Sequence, residues 1–150
     1  MSAGDVPTTP ADPATAAARV TAGTVAVGTE LPSLEIPVTR TLIVAGAMAS
    51  RDFEPVHHDH LVAQERGSDD LFMNILTTNG LVGRFVTDWA GPAARLRGID
   101  IRLGVPAYPG DTLAFSGRVV DVRDRVVTVA VRAANARGDH ASGTVEVEVP

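Results

Sequence analysis

The segment spanning residues 71–89 limits the possible folds more than any other part of the chain, because its apolar side chains recur near helical spacing. A helix that is apolar over most of its girth is buried, so we expect a sheet to wrap around it. Gly91 and Pro92 are expected to end the helix. The recurring apolar positions are Phe72, Ile75, Leu76, Leu81, Val82, Phe85, Val86 and Trp89.

Four stretches in which apolar residues alternate with others follow this helix, and a period of two predicts strands. A turn rich in Pro, Gly and Asp is expected between the first two strands, and short polar loops between the others. The strands lie at residues 99–105, 113–119, 127–131 and 145–149, the turn at residues 106–111, and the loops at residues 123–125 and 137–139.

Shorter elements precede the long helix. Alternating apolar residues over residues 34–38 predict a first strand. Thr39 or Thr41 is a candidate cap for a helix that runs through Met48. After a loop, residues 59–66 are expected to form a short helix, which the following glycine closes.

The beginning of the chain, residues 1–30, is rich in Ala, Thr, Pro and Gly and nearly lacks large apolar side chains. Such a segment cannot bury enough apolar surface to offset the entropy lost on ordering, so we predict a flexible extension. The remainder, residues 31–150, has the length of one compact domain.

An early strand, a long buried helix and four later strands are the order of elements in a hot-dog fold. In this α+β architecture an antiparallel sheet wraps around the long central helix. A single sheet of this kind leaves strand edges and an apolar face incompletely covered, so we expect dimerisation.

Composition excludes several classes of function. The net charge of −5 disfavours non-specific binding to nucleic acid, which needs a basic surface. No apolar run is long enough for a membrane span, and the first residues lack the pattern of a signal peptide. Because the chain has no cysteine, it can form neither disulfides nor thiolate metal sites. We therefore expect a cytoplasmic protein that binds neither nucleic acid nor membranes.

Asp52 and His57 lie in a loop before the central helix, with Pro55 between them. Proline fixes one backbone angle and stiffens the loop, so both side chains can be aimed at one point. A carboxylate and an imidazole around one water form an acid/base pair, and such catalysis contributes roughly 10²–10⁴-fold in rate. Residue types alone leave open an ordinary turn or cap contact.

This stretch, DFEPVHHD at residues 52–59, resembles the signature D-x-N-P-[LIV]-H-x-D of MaoC-like (R)-specific enoyl-CoA hydratases. The turn PAYPGDTL at residues 106–113 matches that family's P-x-x-P-G-D-T-L turn, and the resemblance covers roughly residues 31–150. It implies a MaoC-like hot-dog domain in which Asp52 and His57 are the catalytic pair. It also implies that the only coenzyme A present belongs to the substrate, and that no other cofactor is needed.

The sequence departs from the family pattern at two places. Glu54 replaces the asparagine of the signature, and a carboxylate there could perturb the titration of Asp52 and His57. A His-Gly pair usually opens the family's central helix, and its glycine amide donates to the thioester oxygen; Met73 and Asn74 stand there instead. The resemblance implies that the Asn74 backbone amide forms the oxyanion site, while an ordinary capping role for Asn74 stays open.

Longer matches resemble the small catalytic subunit of heteromeric steroid side-chain enoyl-CoA hydratases of actinobacteria. They imply an acyl-CoA substrate with a steroid side chain and a second MaoC-like subunit in a heterodimer or heterotetramer. An acyl-CoA thioesterase and a non-catalytic half of a heteromeric complex remain as alternatives. The matching stretches are RDF at 51–53, VHHD at 56–59, FMNILT at 72–77, TDWAGP at 87–92, LGVP at 103–106 and GDH at 138–140.

The other candidate residues receive plainer interpretations. Adjacent residues such as His57, His58, Asp59 and His60 rarely converge on one ion, so no metal site is expected. His58 and His60 should face solvent, with Asp59 capping the short helix. Phe85 and Trp89 are assigned to the core rather than to an acyl pocket. The arginines considered for the phosphates of coenzyme A are Arg95, Arg97 and Arg102.

Overall fold

The computed structural model describes residues 20–150. An antiparallel sheet of five strands, in the order β1-β3-β4-β5-β2, packs around one long helix. The elements are β1 (Leu34–Pro37), α1 (Arg40–Ala49), a 3-10 turn (Pro55–His57), α2 (His60–Glu65), α3 (Ile75–Ala90), β2 (Arg95–Leu103), β3 (Thr112–Arg123), β4 (Val126–Asn135) and β5 (Gly138–Glu148). The predicted α+β hot-dog architecture is confirmed.

Alternation along the strands builds the core. Val127, Val129 and Val131 of β4 are buried, as are the alternate residues Val145 and Val147 of β5. Their side chains face the central helix, where the Phe85 ring lies 5.8 Å from the Phe115 ring of β3. Complete burial of an apolar side chain of this size contributes about 1.5–3 kcal/mol. The period of two was therefore a sound guide to which face of the sheet is inside.

The central helix begins later than its apolar pattern predicts, at Ile75. Leu71 and Met73 are buried but lie outside any helix or strand, and the Met73 amide donates to the carbonyl of Ala107 at 3.0 Å. Asn74 caps the helix through its side chain, which accepts from the Thr77 amide. A buried irregular segment and a buried helix have the same composition, so periodicity alone placed this start too early.

Strand β2 begins at Arg95, four residues before the first predicted strand position. Only β5 pairs with it in this chain, so its other backbone edge is free among residues 20–150. Arg95, Arg97 and Arg102 are exposed on it, and the Arg97 guanidinium pairs with Glu148. The first residues of β2 do not continue the alternation of apolar and polar side chains in the rest of the strand, so the pattern that predicts a half-buried strand missed them.

Residues 20–30 were assigned to the flexible extension, but they lie against the domain. The Ala22 amide donates to the carbonyl of Pro150, and the Gly28 amide to that of Val119. Val20, Ala22 and Val25 pack against the core. The boundary near residue 31 was therefore placed too late, whereas residues 1–19 lie outside the described part and their predicted flexibility stays a prediction.

Helices α1 and α3 approach each other closely at Gly46. A Cβ atom at this position would clash with the Thr77 side chain, so only glycine fits while that side chain keeps its place. Thr39, rather than Thr41, caps α1 by accepting from the Leu42 amide. Within residues 20–150, no helix combines the length and the apolar character needed to cross a bilayer.

Candidate active site

A sharp chain reversal at the end of α1 brings Asp52 to the first turn of α3. Ser50 ends the helix, and Arg51 takes a left-handed conformation with φ 58°. This conformation costs a side-chain-bearing residue roughly 1–2 kcal/mol, so the surroundings must hold it. The Asp52 amide donates back to the carbonyl of Ala47 at 2.9 Å, which fixes the aspartate against α1.

His57 is held from the opposite side. Its ring is 8% exposed, and Nδ1 lies 2.7 Å from the carbonyl oxygen of Phe72. A carbonyl only accepts, so Nδ1 carries the proton and Nε2 of the neutral ring has a free lone pair. The Phe72 ring packs edge-on against the imidazole at 5.0 Å. His57 therefore presents Nε2 in one fixed direction.

That direction is toward Asp52. Oδ2 of Asp52 lies 3.6 Å from Nε2 of His57, which is longer than a hydrogen bond. The Asp52 side chain is about a quarter exposed and that of His57 about a tenth. The structure thus brings together the two residues that the sequence predicted, and it leaves them side by side rather than bonded. One small polar molecule beside the pair can therefore donate hydrogen bonds to both acceptor atoms.

Asn74 joins this pair through its side chain. It is 1% exposed, and Nδ2 donates to Asp52 Oδ2 and to Ser50 Oγ, both at 2.9 Å. This hydrogen bond from Asn74 is the main reason that the pKa of Asp52 is lowered, and the Glu54 amide and the nearby His57 lower it further. Burial opposes the shift. Asp52 is therefore ionised across the neutral range.

The sequence predicted Asn74 for its backbone amide, and its capping alternative is confirmed. No acceptor for that backbone N–H lies among residues 20–150. The oxyanion role stays a prediction. The side-chain contact with Asp52 was not predicted at all, because nothing in the sequence links two positions so far apart.

The unconventional Glu54 points away from the pair. Its carboxylate pairs with Arg66 at the surface, and only its backbone amide turns toward Asp52. His58 and His60 are exposed and Asp59 caps α2, as predicted. In the described part of the chain, no three His, Asp or Glu side chains form a group that could hold a metal ion.

A second buried histidine lies behind the site. His140 of β5 is 1% exposed, and Nδ1 lies 2.8 Å from the carbonyl oxygen of Val105. Nε2 lies 2.9 Å from the hydroxyl of Thr78, whose amide donates to the carbonyl of Asn74. Burial lowers the pKa of His140. Nothing in the sequence predicted this contact, which joins α3 and β5.

The predicted core residues lie elsewhere. Phe85 is buried, and Trp89 is partly buried against the core, which confirms their assignment. Asn74 and Trp89 are at opposite ends of α3, about 20 Å apart at 1.5 Å per residue. With Pro32 and Leu34 the two aromatic side chains line a cavity of about 220 Å³. Whether Arg95, Arg97 or Arg102 meets coenzyme A stays a prediction.

Known proteins place this geometry in a family. Residues 23–139 match the family model described as MaoC like domain. The 3-oxo-4,17-pregnadiene-20-carboxyl-CoA hydratase beta subunit of Mycobacterium tuberculosis is 51% identical over 123 residues, which are 82% of this chain and 95% of that protein.

Solved structures agree. A chain of the ChsH1-ChsH2 complex from Mycobacterium tuberculosis superposes with a TM-score of 0.82 at 50% identity, covering 83% of this chain and 98% of that one. R-hydratase PhaJ1 from Pseudomonas aeruginosa reaches a TM-score of 0.79 at 21% identity over 88% of this chain and 86% of its own, which shows the shared fold. The chain therefore belongs to the family of MaoC-like domains, as a hydro-lyase built on a hot-dog fold.

Proposed function

We propose that this protein is an enoyl-CoA hydratase that adds water across the α,β double bond of an acyl-CoA thioester. The observation that carries the proposal is the separation of 3.6 Å between Asp52 Oδ2 and His57 Nε2, with each group fixed by other contacts. A water beside them is held by two acceptors and loses a proton as its oxygen attacks the β-carbon.

Asp52 is the group that takes this proton. Its lowered pKa keeps it ionised, and ionisation is what a base requires. His57 orients the water through the lone pair of Nε2, and the proton that Asp52 has taken is then returned to the α-carbon. The product gains a hydroxyl at the β-carbon and a hydrogen at the α-carbon, so the two parts of one water account for the whole change.

Negative charge gathers on the thioester oxygen as the β-carbon is attacked. The backbone amide of Asn74 at the start of α3 is our candidate donor for it. The N-terminus of a helix favours an anion, and preorganised donors at such a point stabilise an oxyanion effectively. The free state of this N–H among residues 20–150 supports the assignment. No further cofactor enters this scheme.

The substrate class is proposed from the relative in Mycobacterium tuberculosis, whose name gives a 3-oxo-4,17-pregnadiene-20-carboxyl-CoA as its substrate. We infer a steroid side-chain enoyl-CoA here, in the cytoplasm. The second MaoC-like subunit is inferred from the complex in which the similar chain was solved. The free edge of β2 and the exposed apolar residues Phe53, Ile75 and Leu76 near the site support such a partner.

The test is an assay of the protein, alone and mixed with candidate MaoC-like partners, on enoyl-CoA thioesters. Loss of the conjugated enoyl absorbance reports hydration, and free thiol reports thioester cleavage. Asp52→Asn should lower kcat/KM by about 10²–10⁴-fold, the contribution of general acid/base catalysis. Asp59→Asn is the matched control, since asparagine caps a helix as well as aspartate does.

Two outcomes would contradict the proposal. Thiol release without loss of the double bond would identify an acyl-CoA thioesterase. Near-normal hydration by Asp52→Asn would show that the site lies elsewhere, as in a non-catalytic half of a heteromeric complex.

A further inference from the structure

The Asn74 side chain has a hydrogen-bond pattern that permits only one orientation. The Thr77 amide can only donate, and it points at Oδ1 of Asn74 at 3.0 Å. The other end of the side chain must therefore be the amino group, which carries two donors. One donor goes to Asp52 and the other to Ser50. A flipped amide would lose all three contacts.

Ser50 anchors this arrangement to α1. Its hydroxyl donates to the carbonyl of Gly46 at 2.7 Å, so its oxygen is free to accept from Asn74. Ser50 is also the residue that ends α1. One buried amide thus connects the last turn of α1 to the first turn of α3, with Asp52 on the segment between them.

The donor meets the oxygen that matters for the reaction. Nδ2 of Asn74 binds Oδ2 of Asp52, and Oδ2 is also the atom nearest to His57. A bond to one side of this oxygen fixes the rotation of the carboxylate and leaves its remaining lone pair to face the histidine. The other oxygen accepts only a long contact of 3.4 Å from the Glu54 amide.

Charges around Asp52 leave Asn74 as its main polar partner. His57 is the one titratable side chain that contributes to the shift in its pKa. Glu54 is turned to Arg66, and their charges pair at the surface. The Asn74 amide therefore contributes more than His57 to the lowered pKa of Asp52.

We propose that the Asn74 side chain is a positioning residue for Asp52: it caps α3 and, with the same amide, aims the aspartate at the water to be activated. The inference rests on the proposed function, in which Asp52 is the base. It deepens that function by giving the Asn74 side chain a role separate from that of its backbone amide. Ser50 supports the role by holding the second donor.

The experiment separates the capping of α3 by Asn74 from its hydrogen bond to Asp52. Asn74→Ser and Asn74→Asp both keep a side-chain oxygen that can cap α3, and both remove the donor to Asp52. We expect kcat to fall by about 10–100-fold, since a misplaced catalytic group costs up to about 10²-fold, with little change in KM. The thermal stability of Asn74→Ser should stay close to that of the unchanged protein, whereas Asn74→Asp should be less stable because it buries a second carboxylate beside Asp52.

The pH profile provides a readout that a purely structural role would not move. Without the donor, the pKa of Asp52 rises, so the acid limb of kcat/KM should move to higher pH. The movement should be larger in Asn74→Asp, because a second carboxylate opposes ionisation of the first. Asn79→Asp is the matched control: it adds the same charge on α3 at a side chain without a hydrogen bond to Asp52 among residues 20–150, and should leave the limb nearly in place.

A titration of the Asp52 carboxyl by ¹³C NMR gives the same information without turnover. An Asp52 pKa that is unchanged in both Asn74 variants would overturn the proposal, and so would an unchanged kcat with lowered stability, which indicates a cap alone. If the unchanged protein hydrates no enoyl-CoA with any partner, the proposed function fails. The NMR titration then still decides whether Asn74 controls Asp52.

Discussion

The two buried histidines, His57 and His140, have the same hydrogen bond at Nδ1 and different surroundings at Nε2. Each lies with Nδ1 within 2.7–2.8 Å of a backbone carbonyl oxygen, that of Phe72 or Val105. Each therefore presents Nε2 as an acceptor. The Thr78 hydroxyl fills that acceptor in His140, whereas in His57 the nearest acidic oxygen is 3.6 Å away.

The difference is the one expected between a structural histidine and a histidine that acts in a reaction. His140 has both nitrogens satisfied inside the protein, and the lowered pKa keeps it neutral. In His57, Nδ1 is hydrogen-bonded within the protein, and Nε2 can still accept a hydrogen bond from a water or a ligand. Both histidines are largely buried and both carry the proton on Nδ1, so neither property distinguishes them. The acceptor Nε2, which is filled in His140 and open in His57, does.

The largest expected effect is on activity. His57→Gln should lower kcat/KM by about 10²–10⁴-fold, because the proposed function places His57 against the reacting water. His140→Gln should lower it far less, because both ring nitrogens of His140 are already hydrogen-bonded within the protein. Steady-state assays on an enoyl-CoA measure both. Equal losses of activity would mean that His140 also takes part in the reaction, which would contradict the distinction drawn between the two histidines.

For stability, we expect the opposite order: the change at His140 should cost more than the change at His57. His140→Ala removes a fully buried ring and leaves the Thr78 hydroxyl and the Val105 carbonyl without their partner, which should cost about 2–4 kcal/mol. His57→Ala should cost less, since its site is partly open to solvent. Urea unfolding followed by the fluorescence of Trp89, the single tryptophan, compares them. A greater loss in His57→Ala would contradict this order.

The smallest effect is a dependence on pH. The lowered pKa of His140 means that, below its ordinary value of 6.5, the unfolded chain binds a proton that the folded chain does not. The free energy of unfolding should therefore fall as pH falls through this range, and stay level above it. The lowered pKa values of Asp52, Asp70 and Asp111 act only at more acidic pH.

Urea unfolding at about pH 7.5 and about pH 5.5 measures the slope. His140→Asn should flatten it, while His60→Gln, a change at an exposed histidine, should leave it in place. The same slope in His140→Asn and in the unchanged protein would assign the effect to another group.

Local patterns predicted much of the fold. Period-two alternation in β4 and β5 and the helical stripe from Leu81 to Trp89 were sufficient, because each reflects one local geometry. The start of α3 was misplaced because Leu71 and Met73 are buried in a segment outside any helix or strand. The packing of residues 20–30 was missed because it depends on backbone bonds to β3, which any side chain permits.

The site was predictable to the same extent. Asp52, Pro55 and His57 lie together in sequence, so their spacing and the motif identified them. Asn74 was named for its backbone because it opens a helix, but its contact with Asp52 exists only after α1 and α3 have packed. His140 meets Thr78 in the same way. Polar contacts between residues far apart in the chain produce no pattern in the local sequence, so they cannot be predicted from it.

The close approach of Gly46 to Thr77 has an evolutionary consequence. These positions share one small volume between α1 and α3, and the same turn of α1 supplies the carbonyl that holds Ser50. A larger residue at position 46 would displace Thr77 and weaken the hydrogen bond between Asn74 and Ser50. Among related sequences, the two positions should therefore vary together, with a side chain at 46 accompanied by a smaller residue at 77.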